Sequence, residues 1–480
     1  MQRVVPAVYT RLRHFGAGAQ NAMASIAEGK SQTWHVSDII DQRPMGAFQI
    51  WTVILGGLVL VLDGFDAQTI NFLIPSIAET TRIPEHGFGP ILSASLIGLM
   101  IAALTTGPIA DRWGRKWPVI LSTLSFALFS LLSARANTRS EFLILRFLTG
   151  LGLGGAMPNV VALTSEYIPK RLLAVVIPIL FVGMPLGGTI SGFAARAMLP
   201  VWGWRSVFLL GGLLPLVISL ILMVVLPESI QFLAARGKDS PKVVKILAHV
   251  APEFAQGHAN IALAAPGEKQ RGVPVKHLFT DGRTAGTLFL WIPYFMNLLL
   301  IYFLTGWLPA LLRDAGMSVR AGVTATAFMN FGGVFGCLIE GALLRRWGAS
   351  VILTCEYVLA GVFIASFAIL ALPFPVLLMM TFGSGLTIIG AQGGLNALAA
   401  RFYPISVRST GVGWALGIGR IGSIVGPLIG GMFLMIGWNT RDMLLFASAI
   451  ALVAFISILL GDRLSGKVTA FASASELGGH

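Results

Sequence analysis

Long apolar segments, separated by short polar ones, run through almost the whole chain. Between positions 48 and 110 the only charged residues are Asp63, Asp66 and a cluster within 79–85. A helix needs ~20 apolar residues to cross the hydrocarbon core, whereas barrel strands would alternate apolar and polar positions. The pattern therefore predicts an all-α membrane protein with twelve transmembrane helices. We expect these helices at 48–77, 88–110, 117–134, 141–164, 172–198, 204–227, 284–309, 320–343, 350–372, 374–401, 409–436 and 441–461.

Composition and the placement of charge agree with this interpretation. The 480 residues are 55% hydrophobic and 11% charged, whereas a soluble domain carries roughly 25% charged residues. In a soluble protein the net charge of +13 would suggest nucleic-acid binding. Here 24 of the 34 Lys and Arg residues fall in the tails and the even-numbered loops. The positive-inside rule then predicts an inner (plasma) membrane protein with both termini in the cytoplasm, and no nucleic-acid partner.

The two cysteines and the N-terminal tail suggest no special chemistry. Cys337 and Cys355 both lie within predicted helices and have neither metal-ligand spacing nor a plausible disulfide arrangement, so we expect small buried apolar residues. Residues 1–47 are polar and mixed in charge, without the apolar region of a cleavable signal peptide. We expect no metal and no cofactor.

The chain divides into two related halves. Residues 228–283 form the only long hydrophilic stretch between predicted helices. The segments 150–169 and 385–404 share the pattern G-L-x3-G-A-x5-A-L-x5-P at an offset of 235, and 107–114 matches 341–348 at 234. This predicts a duplicated six-helix unit, the arrangement of many secondary transporters. The expected organisation is a tail at 1–47, a bundle at 48–227, a cytoplasmic loop at 228–283, a bundle at 284–461 and a tail at 462–480.

Several motifs resemble one transporter superfamily. The segment Gly107–Lys116, its weaker copy at 341–348 and the Pro-Glu-Ser at 227–229 resemble features of the major facilitator superfamily. Within it, the Asp-Gly-Phe-Asp at 63–66, the helix segment 146–159 and the Gly-Ile-Gly-Arg-Ile-Gly at 417–422 are similar to the aromatic acid:proton symporter family. The resemblance implies proton-driven uptake of benzoate-like acids such as hydroxybenzoates, protocatechuate or vanillate.

Asp63 and Asp66 are the candidate proton-coupling residues. An acidic residue near the bilayer centre costs ~3 kcal/mol on insertion scales and usually faces a cavity or a partner. Spacing of three residues puts both on one helix face, where their mutual repulsion favours protonation of one of them. All seven histidines lie outside the predicted helices, so proton coupling would need these carboxylates. The alternative is a structural pair locked to an arginine or to backbone amides.

Six residues are candidates for substrate contact. Arg146 can either form a permanent salt bridge with Asp66 or fork onto a substrate carboxylate, and Arg420, near mid-membrane among glycines, can face the cavity or brace a neighbouring helix. In the superfamily that the chain resembles, helices one, four, seven and ten line the cavity, so polar groups on helices four, seven and ten could contact a ring or its hydroxyls, or could simply join helices. These are Asn159, Tyr302, Gln392 and Asn396, with Trp307 nearby. We expect Glu340 and Glu356 to be structural partners of Arg345 or Arg346.

The loop motif predicts a gate at the cytoplasmic face. Its charges and glycines lie where helix ends meet, and further charges follow helix four and precede helix eleven, so an ion-pair network could hold this face shut in one state. A simple positive-inside anchor is the alternative. The predicted gate residues are Gly107, Asp111, Arg112, Gly114, Arg115, Glu166, Arg171 and Arg408.

Together these features predict a proton-coupled importer of an aromatic carboxylate that works by alternating access, most simply as a monomer in the lipid bilayer. An exporter or a carrier of another organic ion on the same fold stays open, as does a membrane receptor, although the sequence has no appended signalling domain. No nucleophile with a base and an orienting residue occurs within the predicted helices, which argues against an enzyme. The sequence also has no nucleotide-binding P-loop, which argues against ATP-driven transport.

Overall fold

A computed structural model of the chain describes residues 33–34, 40–41, 44–236, 246, 262–263, 275–280, 282–367, 372–404 and 407–477. Within these residues the structure is almost entirely helical. Its main helices are α1 (Ala47–Thr81), α2 (Phe88–Trp113), α3 (Lys116–Ser133), α4 (Arg139–Tyr167), α5 and α6 (together Lys170–Val225), α7 (Thr284–Asp314), α8 (Val319–Trp347), α9 (Ala349–Phe367), α10 (Phe374–Phe402), α11 (Arg408–Met435) and α12 (Thr440–Leu477).

The 56-residue run Lys170–Val225 comprises two helices. At 1.5 Å per residue a straight helix of this length would be about 84 Å long, far more than the ~30 Å hydrocarbon core. Gly203 interrupts it with φ 69° and ψ 176°, a backbone conformation open to glycine. We call residues 170–202 α5 and residues 204–225 α6. The eleven helical runs long and apolar enough to cross a membrane thus supply twelve crossings among the described residues.

The structure repeats its helix crossings in the two halves. Gly98 of α2 lies directly on the backbone of α4 at Phe147, and Gly332 of α8 lies in the same way on α10 at Phe382. These contacts differ by 234 and 235 positions, the offsets found in the sequence. A side chain at either glycine would collide with the facing backbone, so glycine permits the close approach. The sequence repeat is therefore also a repeat of helix packing.

The chain also departs from the predicted boundaries. α12 continues as helix to Leu477, beyond the predicted end at 461. Within the predicted central loop, a short helix spans Ile230–Arg236 and a 3₁₀ helix spans Val275–Phe279. A two-residue parallel pairing joins Thr33–Trp34 to Ala262–Leu263. Most of the predicted tail at 1–47 and of the loop at 228–283 lies outside the described residues.

The two halves are packed together at one end of the bundle. We call the end with loops 82–87, 134–138 and 315–318 the odd-loop end, and the opposite end the even-loop end. Near the odd-loop end, Ser93 Oγ of α2 donates a hydrogen bond to the Ile424 carbonyl of α11 at 2.7 Å, and Gly192 of α5 packs against Ala327 of α8. Closure at this end brings α2 against α11 and α5 against α8.

The apolar core follows the same division. One large cluster contains residues of both halves, including Phe72 and Phe88 from the first and Trp307 and Leu311 from the second. Toward the even-loop end, two further clusters are each confined to one half, one around Tyr167 in the first and one around Tyr294 and Tyr403 in the second. The apolar core is therefore shared at the odd-loop end and divided at the even-loop end.

Candidate functional site

A buried ion pair lies inside the first half. Asp66 of α1 is fully buried and Arg146 of α4 is 1% exposed. The Arg146 guanidinium donates from Nη1 to Asp66 Oδ2 at 3.3 Å and from Nη2 to Ser133 Oγ at 3.0 Å. It also stacks over the Phe208 ring, 5.1 Å from its centroid. The predicted proximity of Asp66 and Arg146 is present.

The surroundings of Arg146 bear on its two predicted roles. Its partners come from α1, α3 and α6, all in the first half, and the side chain is closed off from solvent. In this conformation the guanidinium is a salt-bridge partner of Asp66 and is not open to a substrate. A substrate contact by Arg146 would require another state of the protein, and that role stays a prediction.

Asp63 has different neighbours. Its side chain is 1% exposed and its Oδ1 has no hydrogen-bond partner. The charges that act on this carboxyl are those of Asp66, one helical turn away, and of Arg420 on α11. Arg420 is half-buried. An unpartnered carboxyl of the first half and a cation of the second half therefore act on each other at the junction between the halves.

Two polar pairs join α7 and α10 in the second half. Tyr294 Oη donates to Asn396 Oδ1 at 2.8 Å, and Asn297 Nδ2 donates to Gln392 Oε1 at 3.1 Å. Asn297 Oδ1 and Gln392 Nε2 are buried and lack hydrogen-bond partners. The predicted residues Gln392 and Asn396 thus have helix-joining contacts, while one acceptor and one donor of the second pair stay available. Asn297 occupies the position of the second half that corresponds by the repeat to Asp63. This correspondence could have identified Asn297 from the sequence as a residue of the site.

The other predicted substrate residues have local contacts. Asn159 is buried and its Nδ2 donates to the Gly155 carbonyl of its own helix at 2.8 Å. Tyr302 is half-buried and packs against the large apolar cluster. Trp307 is fully buried, and its Nε1 donates to the Pro427 carbonyl at 3.1 Å. Trp307 therefore braces α7 against α11, and for Asn159 and Tyr302 substrate contact stays a prediction.

A polar network occupies the even-loop end of the first half. The Arg115 guanidinium pairs with Glu166 Oε1, and Glu166 Oε2 accepts from Ser229 Oγ at 2.6 Å. Glu228 Oε1 accepts from the backbone N–H groups of Arg115 and Lys116 at 2.7 and 3.0 Å, at the start of α3. A carboxylate there satisfies amide groups that a helix N-terminus leaves unpaired. The network ties α3, α4 and the end of α6 together within one half.

The two glycines of the loop motif have different surroundings. Gly114 has φ +90°, and a side chain there would collide with the Glu228 carboxylate. Gly107 is exposed, and a Cβ at this position would meet nothing within 4 Å. The turn therefore requires glycine at position 114. In this conformation, packing does not require glycine at position 107.

The remaining predicted gate residues are exposed at the even-loop end. Arg408 Nε donates to the Tyr403 carbonyl at 3.2 Å within its own half, and Asp111, Arg112 and Arg171 are exposed. The Arg171 charge acts on Asp41, which also receives hydrogen bonds from Lys170. Partial burial alone would raise the pKa of Asp41, but its contacts with Lys170 and the Arg171 charge hold that pKa below its usual value. A gate between the halves at this end stays a prediction.

The structure corrects two smaller expectations. Glu340 and Glu356 act on each other and not on Arg345 or Arg346, which are exposed beyond the buried part of α8. Because both glutamates lie seven residues from the α8–α9 turn, antiparallel helices bring them to the same level. Cys355 is exposed and not buried as expected. It lies on the outward surface of the bundle, which in a membrane protein can be apolar.

An ion-pair cluster at the odd-loop end was not predicted. The guanidinium of Arg313, at the end of α7, lies 2.8 Å from Glu85 Oε1 and 3.7 Å from Glu79 Oε1. These carboxylates belong to the first half and Arg313 to the second, so the cluster joins the halves. The sequence placed the two glutamates in the loop after the first predicted helix and Arg313 in the loop after the seventh, and it contained no signal that they meet.

Comparison with known proteins identifies the family. A profile of the Major Facilitator Superfamily matches residues 56–415. A gallate transporter of Pseudomonas putida is 40% identical over 87% of this chain and 94% of its own length. A 4-hydroxybenzoate transporter, PcaK, of Pseudomonas aeruginosa is 39% identical over 90% of this chain and 96% of its own.

A solved structure agrees with the fold. The nucleoside transporter NupG superposes with a TM-score of 0.66 at 14% identity, covering 86% of this chain and 99% of NupG. This likeness bears on the fold alone. The superfamily match and the relatives confirm the expected transporter class over an enzyme. The chain belongs to the Major Facilitator Superfamily, a family of membrane transporters.

Proposed function

We propose that this protein imports a hydroxylated aromatic carboxylate together with a proton. The observation that carries the proposal is the unpartnered, buried Asp63 carboxyl, on which Arg420 of the other half acts. An arginine can bind a substrate carboxylate bidentately, and an intramembrane aspartate can take a proton. The gallate and 4-hydroxybenzoate transporters among the relatives support the substrate class.

Charge balance between Asp63 and Arg420 supplies the coupling. In the empty state the aspartate and the arginine neutralise each other. When a proton occupies Asp63 and a substrate carboxylate occupies Arg420, the site is again neutral. Binding either ligand alone leaves a net charge in a low-dielectric region, which is costly. Only the empty and the doubly loaded protein therefore change state readily, and proton and substrate move together.

The ring hydroxyl has a complementary site in this scheme. A phenol both donates and accepts a hydrogen bond, and the buried Asn297 Oδ1 and Gln392 Nε2 offer one acceptor and one donor. A carboxylate on Arg420 and a hydroxyl near these amides would orient the ring against α7, α10 and α11 of the second half. Benzoate lacks the hydroxyl and would leave both amide groups unpaired, which lowers its affinity.

Orientation follows from the charges. We place the even-loop end in the cytoplasm, because most Lys and Arg residues lie on that side. The conformation described above, with contacts between the halves at the odd-loop end, is then the inward-facing state. Opening of the Arg313 cluster and closure at the even-loop end would give the outward-facing state.

The test is uptake into liposomes that contain the purified protein, with labelled 4-hydroxybenzoate, gallate and benzoate and an imposed pH gradient. Asp63→Asn is expected to abolish gradient-driven uptake and to keep exchange of internal for external substrate. Arg420→Lys should raise KM about 10- to 100-fold, because one charge-assisted hydrogen bond contributes about 1.5–3 kcal/mol. Arg345→Lys, at an exposed site, is the matched control and should leave KM unchanged. Uptake that survives both an uncoupler and Asp63→Asn would refute proton coupling and favour a carrier of another type.

A further inference from the structure

The second half contains a buried carboxyl pair that the proposed transport site does not use. Glu340 of α8 is 3% exposed and Glu356 of α9 is 6% exposed. The two carboxyl groups are within hydrogen-bonding reach of each other. Apart from this contact, both oxygens of Glu340 and Oε2 of Glu356 have no side-chain partner. Each lies seven residues, or ~10 Å, from the even-loop end of its helix.

In the part of the chain that the structure describes, no cation compensates the pair. The ionisable groups that interact electrostatically with it are Cys337 on α8, and Cys355 and Tyr357 on α9. Among the described residues no arginine or lysine acts on either carboxyl, and α10 faces it with the backbone of Gly394, where a Cβ would lie 2.5 Å from Glu340 Oε1. Two ionised carboxylates without a cation are too costly in a buried site, so the pair must hold at least one proton.

A row of polar groups runs from the pair to α7 and α10. Tyr357, next to Glu356, is 1% exposed and its hydroxyl has no hydrogen-bond partner. This hydroxyl interacts electrostatically with both glutamates and with Tyr294 of α7. Tyr294 in turn donates to Asn396 of α10 at 2.8 Å, and Asn396 is half-buried. Polar groups therefore follow one another from the pair to Asn396, and the Tyr357 hydroxyl is not hydrogen-bonded to its neighbours in this conformation.

The repeat argues for a specialised role. At the offset of 234, Glu340 corresponds to Thr106 and Glu356 to Ser122. These two hydroxyl residues occupy the equivalent space in the first half, where both lie against Gly155 of α4. The helices at this crossing can therefore pack closely without carboxyl groups. Only the second half carries two acids here, just as only the first half carries Asp63 and Asp66.

We propose that Glu340 and Glu356 form a second proton-binding site of the transporter. When loaded, both carboxyls are protonated and the pair is neutral. On release, one proton leaves to the aqueous phase, and the other is shared by the two carboxyls with one net negative charge. The consequence for transport rests on the proposed proton-coupled uptake, whereas protonation of the pair itself does not.

Infrared titration of the purified protein tests the site directly. The parent should show a carbonyl band of protonated carboxyl groups that shrinks as pH rises, and Glu340→Gln and Glu356→Gln, singly or together, should each reduce this titrating band. Ser122→Ala, the hydroxyl counterpart in the first half, is the control and should keep it. A titrating band of parental size in the glutamine variants would overturn the proposal.

Proton counting in liposomes tests the transport consequence. Protons carried per substrate should fall by one in Glu356→Gln, while substrate exchange across the membrane continues. An unchanged ratio would overturn the role in transport. Asp63→Asn separates the two proposals, because it should lose gradient-driven uptake yet keep the titrating band of the Glu340–Glu356 pair.

Discussion

The buried pair of Asp66 and Arg146 allows a quantitative test of how charge is held inside the first half. Asp66→Ala would leave the Arg146 guanidinium, 1% exposed, without its counter-charge. Removal of one partner from a buried ion pair costs about 3–5 kcal/mol. The contacts with Ser133 and Phe208 exist before and after the change, so they do not reduce this difference. We therefore expect the free energy of unfolding to fall by about 3–5 kcal/mol.

The loss should come from the stranded charge and not from the missing carboxyl. The double variant Asp66→Ala/Arg146→Leu removes both charges and should recover most of the stability, because apolar replacement of a buried pair is often neutral. Equilibrium unfolding of the purified protein in detergent micelles measures both variants. Glu79→Ala, whose side chain is 64% exposed, is the control and should change stability by less than about 1 kcal/mol.

Two outcomes would refute this reasoning. If Asp66→Ala unfolds with a free energy within about 1 kcal/mol of the parent, Arg146 is not held as a buried cation by Asp66. If the double variant is as unstable as the single one, the loss reflects packing or another partner of Asp66. Either result would also weaken the view that this pair is a fixed part of the first half.

Two further predictions concern the ends of the bundle. Arg313→Ala removes the ion pairs that join the halves at the odd-loop end, and we expect a cysteine placed at Ala327, in a background without the native cysteines, to react several-fold faster with a membrane-impermeant reagent added from that side. An unchanged reaction rate would exclude Arg313 as part of a gate. Gly114→Ala should lower stability and transport, because it forces a strained φ of +90° and collides with Glu228, whereas Gly107→Ala, with open space around it, should leave both near the parental values. Equal effects of the two substitutions would contradict the assigned packing.

Local sequence information was sufficient for the architecture. The length and apolarity of each segment predicted the helices, because a helix crossing lipid must satisfy its backbone internally and present apolar side chains. The repeat at 234–235 residues predicted the two halves, and the glycine contacts at Gly98 and Gly332 follow the same offsets. The buried acids and arginines were also evident, since charges such as Asp63 and Arg146 are rare within apolar runs.

Only the tertiary structure decided which of these charges meet. The partner of each charge depends on how its helix is rotated and how deep it lies in the bundle. The side-chain pattern of a nearly uniformly apolar helix determines neither of these. Glu340 was therefore assigned to an arginine close in sequence, although the packing of α8 against α9 brings it to Glu356. In the same way, Arg313 meets Glu85 only because the two halves close at the odd-loop end. The sequence determined the helices and the charges within them, and the arrangement of the helices in space determined their partners.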